Sequence, residues 1–304
     1  IREYIEMQKD EDFSEVIAVD NRWEIFYHLS PWRESILNWY EFGTGSNVLE
    51  IGGEFGAITG MLCEKCEHVT TVEEELFKAE AIEKRYSERK NLDIYVGNVL
   101  DIPFEKKFDF IIMIGSLERI CDGSKEKWDY AEYVKRLFLM LNPQGRVLLA
   151  VDNRLGLRYF CGERENYTGR PFAGINHYPE GSKGYTFDRN EIIQILKMAE
   201  ADDLKFYYPM PDYKMTQMIY TDEFLPQKDL GERLLFYHLD STTLVASEQK
   251  LYFDIIDNNV FPFFSNSFLI ECGHKHQLST TVFATVTTDR GDMHGMATSI
   301  HFME

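Results

Sequence analysis

Three glycines and two acids at fixed intervals carry the chemistry legible in this chain. Gly52, Gly53 and Gly56 follow the apolar run Val48-Leu49-Glu50-Ile51, and Ala57 to Lys65 has the character of a helix. A strand, a glycine turn and a helix make a ligand cradle: glycine lets the backbone approach closely, and a helix N-terminus offers free N–H groups. Glu50 stands near the end of the first strand. Glu73 ends a second run, Val69-Thr70-Thr71-Val72, 23 residues further on. That is the βαβ interval at which a carboxylate accepts both hydroxyls of a ribose. Glu74 and Glu75 read as first-turn charges of the next helix. A dinucleotide fingerprint starting at Gly52 needs glycine at 54 and 57, where Glu54 and Ala57 stand, and the sequence has no Gly-Lys-Ser/Thr phosphate loop.

Other reactive groups read as structural. Cys63 and Cys66 have metal-like spacing, with His68 nearby, but they sit on a helix without a second pair, so packing is the expectation and no metal is expected. Five scattered cysteines point to a reducing, cytoplasmic setting. A net charge of -19 argues against nucleic acid as the partner, although Arg154, Arg158, Arg164 and Arg170 form a local basic cluster. No apolar run is long enough to span a membrane. The start, Ile1-Arg2-Glu3-Tyr4, lacks the regions of a signal peptide, and the missing initiator Met points to a processed chain or a fragment.

The elements that must position these residues follow in order. Residues 1–45 are helical and aromatic, with a break at Ser30-Pro31, and read as a packed helical pair and partial lid. Tyr27, His28, Trp32 and Arg33 are its candidates to face the ligand. Leu92 to Val96 is a third strand, and the nearly all-apolar run Phe108 to Ile114 a fourth, as a buried parallel sheet requires. Asp129 to Leu141 is a helix, Arg146 to Val151 a fifth strand, and Arg189 to Glu200 a helix capped by Asp188. Leu204 to Tyr208 and Ser267 to Cys272 are strands six and seven. The 58 residues from Pro209 to Asn266 read as an inserted helical cap. Residues 273–304 read as a tail of unknown role: His274 to Gln277 as a linker, Thr280 to Thr288 as one strand, and the group Met293, His294, Met296 and His301 as a frayed extension.

Glu50-x-Gly52-x-x-x-Gly56, Gly97-Asn98-Val99-Leu100-Asp101-Ile102-Pro103-Phe104 and Leu141-Asn142-Pro143-Gln144-Gly145 resemble successive motifs of class I S-adenosylmethionine methyltransferases. Glu54 replaces the middle glycine of the first motif, and Asn98 stands where aspartate is usual. The resemblance implies an α/β, Rossmann-like, seven-stranded sheet with strand seven antiparallel, residues 46–272 as the methyltransferase domain, an N-terminal helical lid, and a helical insertion at 209–266 between strands six and seven. It implies S-adenosylmethionine as cofactor, held by Glu50, Gly52, Gly53, Phe55, Gly56, Glu73, Asn98, Val99, Gly115 and Tyr27. Each has a plainer reading: Phe55 and Tyr27 as core, Asn98 as a turn residue. Glu54 would pair with the cofactor's ammonium or point to solvent.

A closer resemblance covers about residues 20–272. Tyr27-His28-Leu29-Ser30-Pro31, Asp152-Asn153-Arg154-Leu155-Gly156-Leu157, Tyr207-Tyr208-Pro209-Met210-Pro211-Asp212-Tyr213-Lys214 and Phe261-Pro262-Phe263-Phe264-Ser265-Asn266-Ser267 are similar to bacterial methyltransferases associated with, or fused to, glycosyltransferases of surface-polysaccharide assembly. This implies O-methylation of a saccharide or glycan-precursor hydroxyl, with a glycosyltransferase as a partner. That group tends to carry an Asp-His pair near Asn166-Tyr167, which this chain lacks. A hydroxyl is a poor nucleophile, so a general base is expected, with Asp152, Glu118 and His177 as candidates. Asn153, Arg154, Arg158 and Tyr178 are candidates to bind the acceptor, with surface or helix-start charges the plainer reading of the arginines. Methylation of a non-sugar small molecule or a peptide, and a non-catalytic module of the same fold, remain as alternatives.

Overall fold

The computed structural model describes residues 1–8, 11–121, 123, 126–273, 278–287 and 296–301. Ten strands form one sheet: β1 (Asn47–Ile51), β2 (His68–Glu73), β3 (Leu92–Val96), β4 (Phe108–Ile114), β5 (Leu141–Asp152), β6 (Asp203–Met210), β7 (Met218–Thr221), β8 (Ser267–Gly273), β9 (Thr281–Thr287) and β10 (Met296–His301). Their order is β10-β9-β7-β6-β8-β5-β4-β1-β2-β3. The block β3-β2-β1-β4-β5 is parallel, and β8 runs antiparallel between β5 and β6.

The expected seven strands are present in β1–β6 and β8, but the count of seven is corrected to ten. Met218–Thr221 pairs with β6, and the β9–β10 hairpin continues from β7, so backbone groups at that edge of β6 are hydrogen-bonded rather than free. The stretch 209–266 is therefore not purely helical. It holds β7 as well as α9 (Leu230–Arg233), α10 (Glu248–Asp257) and α11 (Phe261–Phe264). Two details of the tail lie outside the described residues: the His274–Gln277 linker and the pair Met293 and His294.

Side-chain alternation on β1 explains how the sheet is covered on both faces. Leu49 and Ile51 join one core, with β4, β5, α6 (Lys127–Phe138) and α8 (Arg189–Met198). Val48 points the other way, into a second core with α4 (Thr59–Lys65) and the 3-10 turn Pro31–Ile36. Cys63 and Cys66 pack in that second core, where burial pushes both thiols up to about 12. A third core ties α1 (Arg2–Met7), α2 (Ser14–Val19) and α3 (Trp23–Leu29) to α5 (Leu76–Arg85) and Phe55. The short α7 (Leu157–Phe160) follows β5 directly. No helix among the described residues is long and apolar enough to cross a membrane.

Candidate active site

Parallel strands bring their carboxyl ends to one edge, and Glu50, Glu73, Gly115 and Asp152 lie there, at or just past the ends of β1, β2, β4 and β5. Glu50 is buried. Its Oε2 accepts the hydroxyls of Thr59, at 2.6 Å, and Thr71, while its Oε1 has no partner among the described residues. Burial raises its pKa against the pull of both hydroxyls. The glycines beside it are demanded by geometry. Gly52 and Gly56 take φ of 77° and 78°, and a Cβ on Gly53 would lie 2.9 Å from Glu50 Oε2.

Next to the turn opens a cleft of about 350 Å³, lined by Gly52, Glu73, Lys78, Gly97, Val99 and Arg119 among others. Glu73 accepts the backbone N–H of Glu54, and burial pushes its pKa up to about 7. Asn98 is exposed beside the cleft, and its Oδ1 accepts the Leu100 N–H at 2.9 Å, capping a short 3-10 turn. Phe55 packs against the His28 ring at 4.9 Å and the Phe77 ring at 6.1 Å, within the N-terminal core.

Glu54 takes a third course that the sequence reading did not include. At φ 54° its carboxylate bonds Arg119 at 3.2 Å and lies 3.9 Å from Lys78. Burial works against its charge, but His28, Arg119 and Lys78 outweigh it and hold the pKa below the usual value.

A second space, of about 190 Å³, shares Gly52, Glu54, Ser116 and Arg119 with the cleft. Its remaining walls are Tyr27, His28, Ile114, Gly115, Asn166, Tyr167, Tyr213 and Lys214. His28 Nδ1 lies 3.5 Å from Glu54 Oε2, and burial lowers the imidazole pKa to about 4, so the ring is neutral at neutral pH. Gly115 has φ 72°, and a Cβ there would lie 2.4 Å from the Tyr213 hydroxyl. Gly115→Ala is therefore expected to lower stability by about 1–3 kcal/mol. An unchanged thermal midpoint would contradict this close approach.

The three bases proposed from sequence stand outside this chamber. Asp152 is one layer behind it, buried, with Lys214 Nζ 2.8 Å from both carboxylate oxygens and Asn166 donating to Oδ2 at 2.7 Å. Glu118 is fully buried, and its Oε1 accepts the Asp152 N–H at 2.9 Å. Burial, and then the Asp152 carboxylate, push Glu118 up to about 7. His177 is exposed at φ 58°, with Nε2 3.4 Å from an Arg154 nitrogen. The Glu118 shift fixes the sign of a pH effect. The folded state holds a proton that the unfolded state has released above about 4.5, so Glu118 costs stability increasingly as pH rises from there to about 7. Glu118→Gln should raise the thermal midpoint more at pH 8 than at pH 5. An equal difference at both would show that Glu118 does not titrate there.

The acceptor candidates Asn153, Arg154, Arg158 and Tyr178 are each buried and bonded within the protein, and none lines the chamber. Asn153 donates to the carbonyls of Phe263 and Ser265, at 2.8 and 2.6 Å. Arg154 clamps Asp188 and Glu191, the capping box of α8, at 2.9 and 2.7 Å. Arg158 pairs with Asp212 at 2.6 Å. The Tyr178 hydroxyl meets Glu165 at 3.1 Å and Thr186 at 2.5 Å. The residues that do line the chamber include Asn166, Tyr167, Tyr213, Lys214 and Arg119, none of which sequence reasoning singled out as a site residue. For Tyr213 and Lys214 a signal existed, since both fall in the motif from Tyr207 to Lys214.

These residues fit S-adenosylmethionine. An orphaned buried carboxylate oxygen would suit an ammonium, a second acid stands at the ribose interval, and a glycine turn has no room for side chains. The family described as Methyltransferase domain matches residues 49–149. A curated relative from Staphylococcus carnosus (strain TM300), an uncharacterized methyltransferase, is 28% identical over 102 residues, 34% of this chain and 45% of the relative. The chain thus matches less than half the length of that relative. Among solved structures, a possible histamine N-methyltransferase from Thermotoga maritima is similar with a TM-score of 0.48 and 14% identity, covering 86% of this chain and 98% of that one. The N-methyltransferase NodS from Bradyrhizobium japonicum WM9, solved with S-adenosyl-L-homocysteine, is similar with a TM-score of 0.46 and 14% identity, covering 86% and 95%. Residues 49–149 thus match the methyltransferase-domain family, over the stretch that holds the glycine turn, Glu50 and Glu73.

Proposed function

We propose that this chain transfers a methyl group from S-adenosylmethionine to a hydroxyl of a saccharide or glycan precursor. The observation that carries the reading is the aromatic and polar chamber that shares Gly52, Glu54, Ser116 and Arg119 with the cofactor cleft as walls. Tyr27, Tyr167 and Tyr213 offer flat faces for the apolar side of a sugar ring, while Asn166 and Lys214 offer donors for its hydroxyls. The resemblance to methyltransferases of polysaccharide assembly supports the same acceptor, with a glycosyltransferase as partner. Five free cysteines support a reducing, cytoplasmic setting.

When bound, S-adenosylmethionine supplies an electrophilic methyl on a sulfonium. Glu50 Oε1 would take its ammonium and Glu73 its ribose hydroxyls. The chamber walls align the acceptor oxygen, and alignment supplies much of the rate in a displacement of this kind. Among the titratable walls, His28 fits a general base best. It is neutral, its Nδ1 faces Glu54, and Nε2 is the nitrogen left to take the hydroxyl proton. Asp152 is less suited, because Lys214 and Asn166 already occupy its oxygens.

The reading is tested by incubating the protein with methyl-labelled S-adenosylmethionine and a panel of monosaccharides, oligosaccharides, nucleotide sugars, small amines and peptides. Label entering a sugar is the expected result. Label entering only amines or peptides would overturn the sugar acceptor. Cofactor binding without turnover on any acceptor would point to a non-catalytic module.

A further inference from the structure

Two buried, opposite charges face one small space under the glycine turn. The space measures about 20 Å³ and is lined by Glu50, Arg33, Tyr27, Gly52 and Gly53 among others. Arg33 sits on the 3-10 turn Pro31–Ile36 and is 5% exposed. One terminal nitrogen donates to the carbonyls of Tyr213 and Lys214, at 3.1 and 3.2 Å, and the guanidinium lies 4.2 Å from the Tyr27 ring centroid. Its Nε has no partner among the described residues, and neither has Glu50 Oε1. No ion pair joins the two side chains among the described residues. Unpartnered buried polar atoms are costly, and here a donor nitrogen and an acceptor oxygen are kept on the same cavity. A ligand group carrying both an ammonium and a carboxylate on one carbon satisfies both at once.

We propose that Arg33 reads the carboxylate of the amino-acid end of the cofactor, opposite Glu50, which takes its ammonium. The inference rests on the assignment of S-adenosylmethionine to this cleft. It gives the N-terminal segment a binding role, because the arginine also holds the Tyr213–Lys214 wall of the acceptor chamber.

Calorimetry of the full chain tests this with two probes, S-adenosylhomocysteine and its decarboxylated analogue, which keeps the amine and loses the carboxylate. The wild type should bind the first about 10-fold or more tightly. Arg33→Met should bring the two affinities within about 2-fold, since the partner of the carboxylate is gone. A purely structural role for Arg33 would weaken both probes equally and leave the ratio unchanged, which would overturn the proposal. Equal affinities in the wild type would overturn it as well. Should the methionine variant not fold, Arg33→Lys decides: a reduced ratio is expected, and an unchanged one refutes the assignment. Failure of the wild type to bind either probe would instead remove the cofactor assignment itself, and the inference with it.

Discussion

His28→Ala is expected to lower kcat by about 10²–10⁴-fold, the usual worth of a general base, while leaving cofactor affinity nearly unchanged. The argument is one of position and protonation. His28 lines the space between cofactor cleft and acceptor, and Glu54 lies 3.5 Å from its Nδ1. Burial lowers its pKa to about 4, so the imidazole is in the accepting form across the neutral range. The sign of the pH effect follows. Activity depends on the neutral ring, so kcat/KM should fall only as pH drops through about 4, well below an ordinary histidine. The ring also packs on Phe55 and Tyr27, so His28→Gln is the better-packed control and should lose rate as severely. A loss under about 3-fold in both variants would remove His28 as the base. A large loss in Asp152→Asn alone would return that role to Asp152.

The largest effect on stability is expected at Arg158. Its guanidinium meets Asp212 at 2.6 Å, and both side chains are buried. Asp212 also accepts the Tyr237 hydroxyl at 2.6 Å and the N–H groups of Lys214 and Met215. This pair joins the chain after β5 to the start of the 209–266 stretch, beneath the acceptor wall. Arg158→Met leaves an uncompensated buried carboxylate and should cost about 3–5 kcal/mol in denaturant unfolding. The pH dependence has a definite sign. Burial opposes the charge on Asp212, but Arg158 and Lys214 outweigh it and lower its pKa, so the stability it contributes is lost as pH falls through that depressed value. Without Arg158 that loss should begin at higher pH. Arg158→Met with Asp212→Asn should cost less than the two single losses combined. Strict additivity would show that the pair is not coupled.

The glycine cradle and its flanking acids were legible because their signals are local. Glu50, Gly52, Gly53, Gly56 and Glu73 lie within one βαβ unit, where a backbone turn demands glycine and strand ends fix the acids. Of the acceptor half only Tyr27 and His28 were legible, as lid residues facing the ligand. Asn166, Tyr213 and Lys214 come from segments far from them in the chain and meet them only once the sheet is assembled. The ion pairs of Arg154 and Arg158 were equally hidden. A charged cluster after a strand reads as a ligand site, while its partners, Asp188, Glu191 and Asp212, lie 30 or more residues away.

The sequence by itself determined the strands β1 to β5 along the chain and the glycine cradle, since apolar periodicity and glycine spacing are written into short stretches of chain, and the motif resemblance added the class of cofactor. Only the tertiary structure decided which acids remain available. Glu54 is held by Arg119, Asp152 is spent on Lys214, and Glu118 is enclosed behind them, whereas Glu50 keeps one oxygen unpartnered. Solvation and pairing are properties of the assembled surroundings. A carboxylate's identity is written in the chain, but its charge state and its freedom to bind are set by what packs against it.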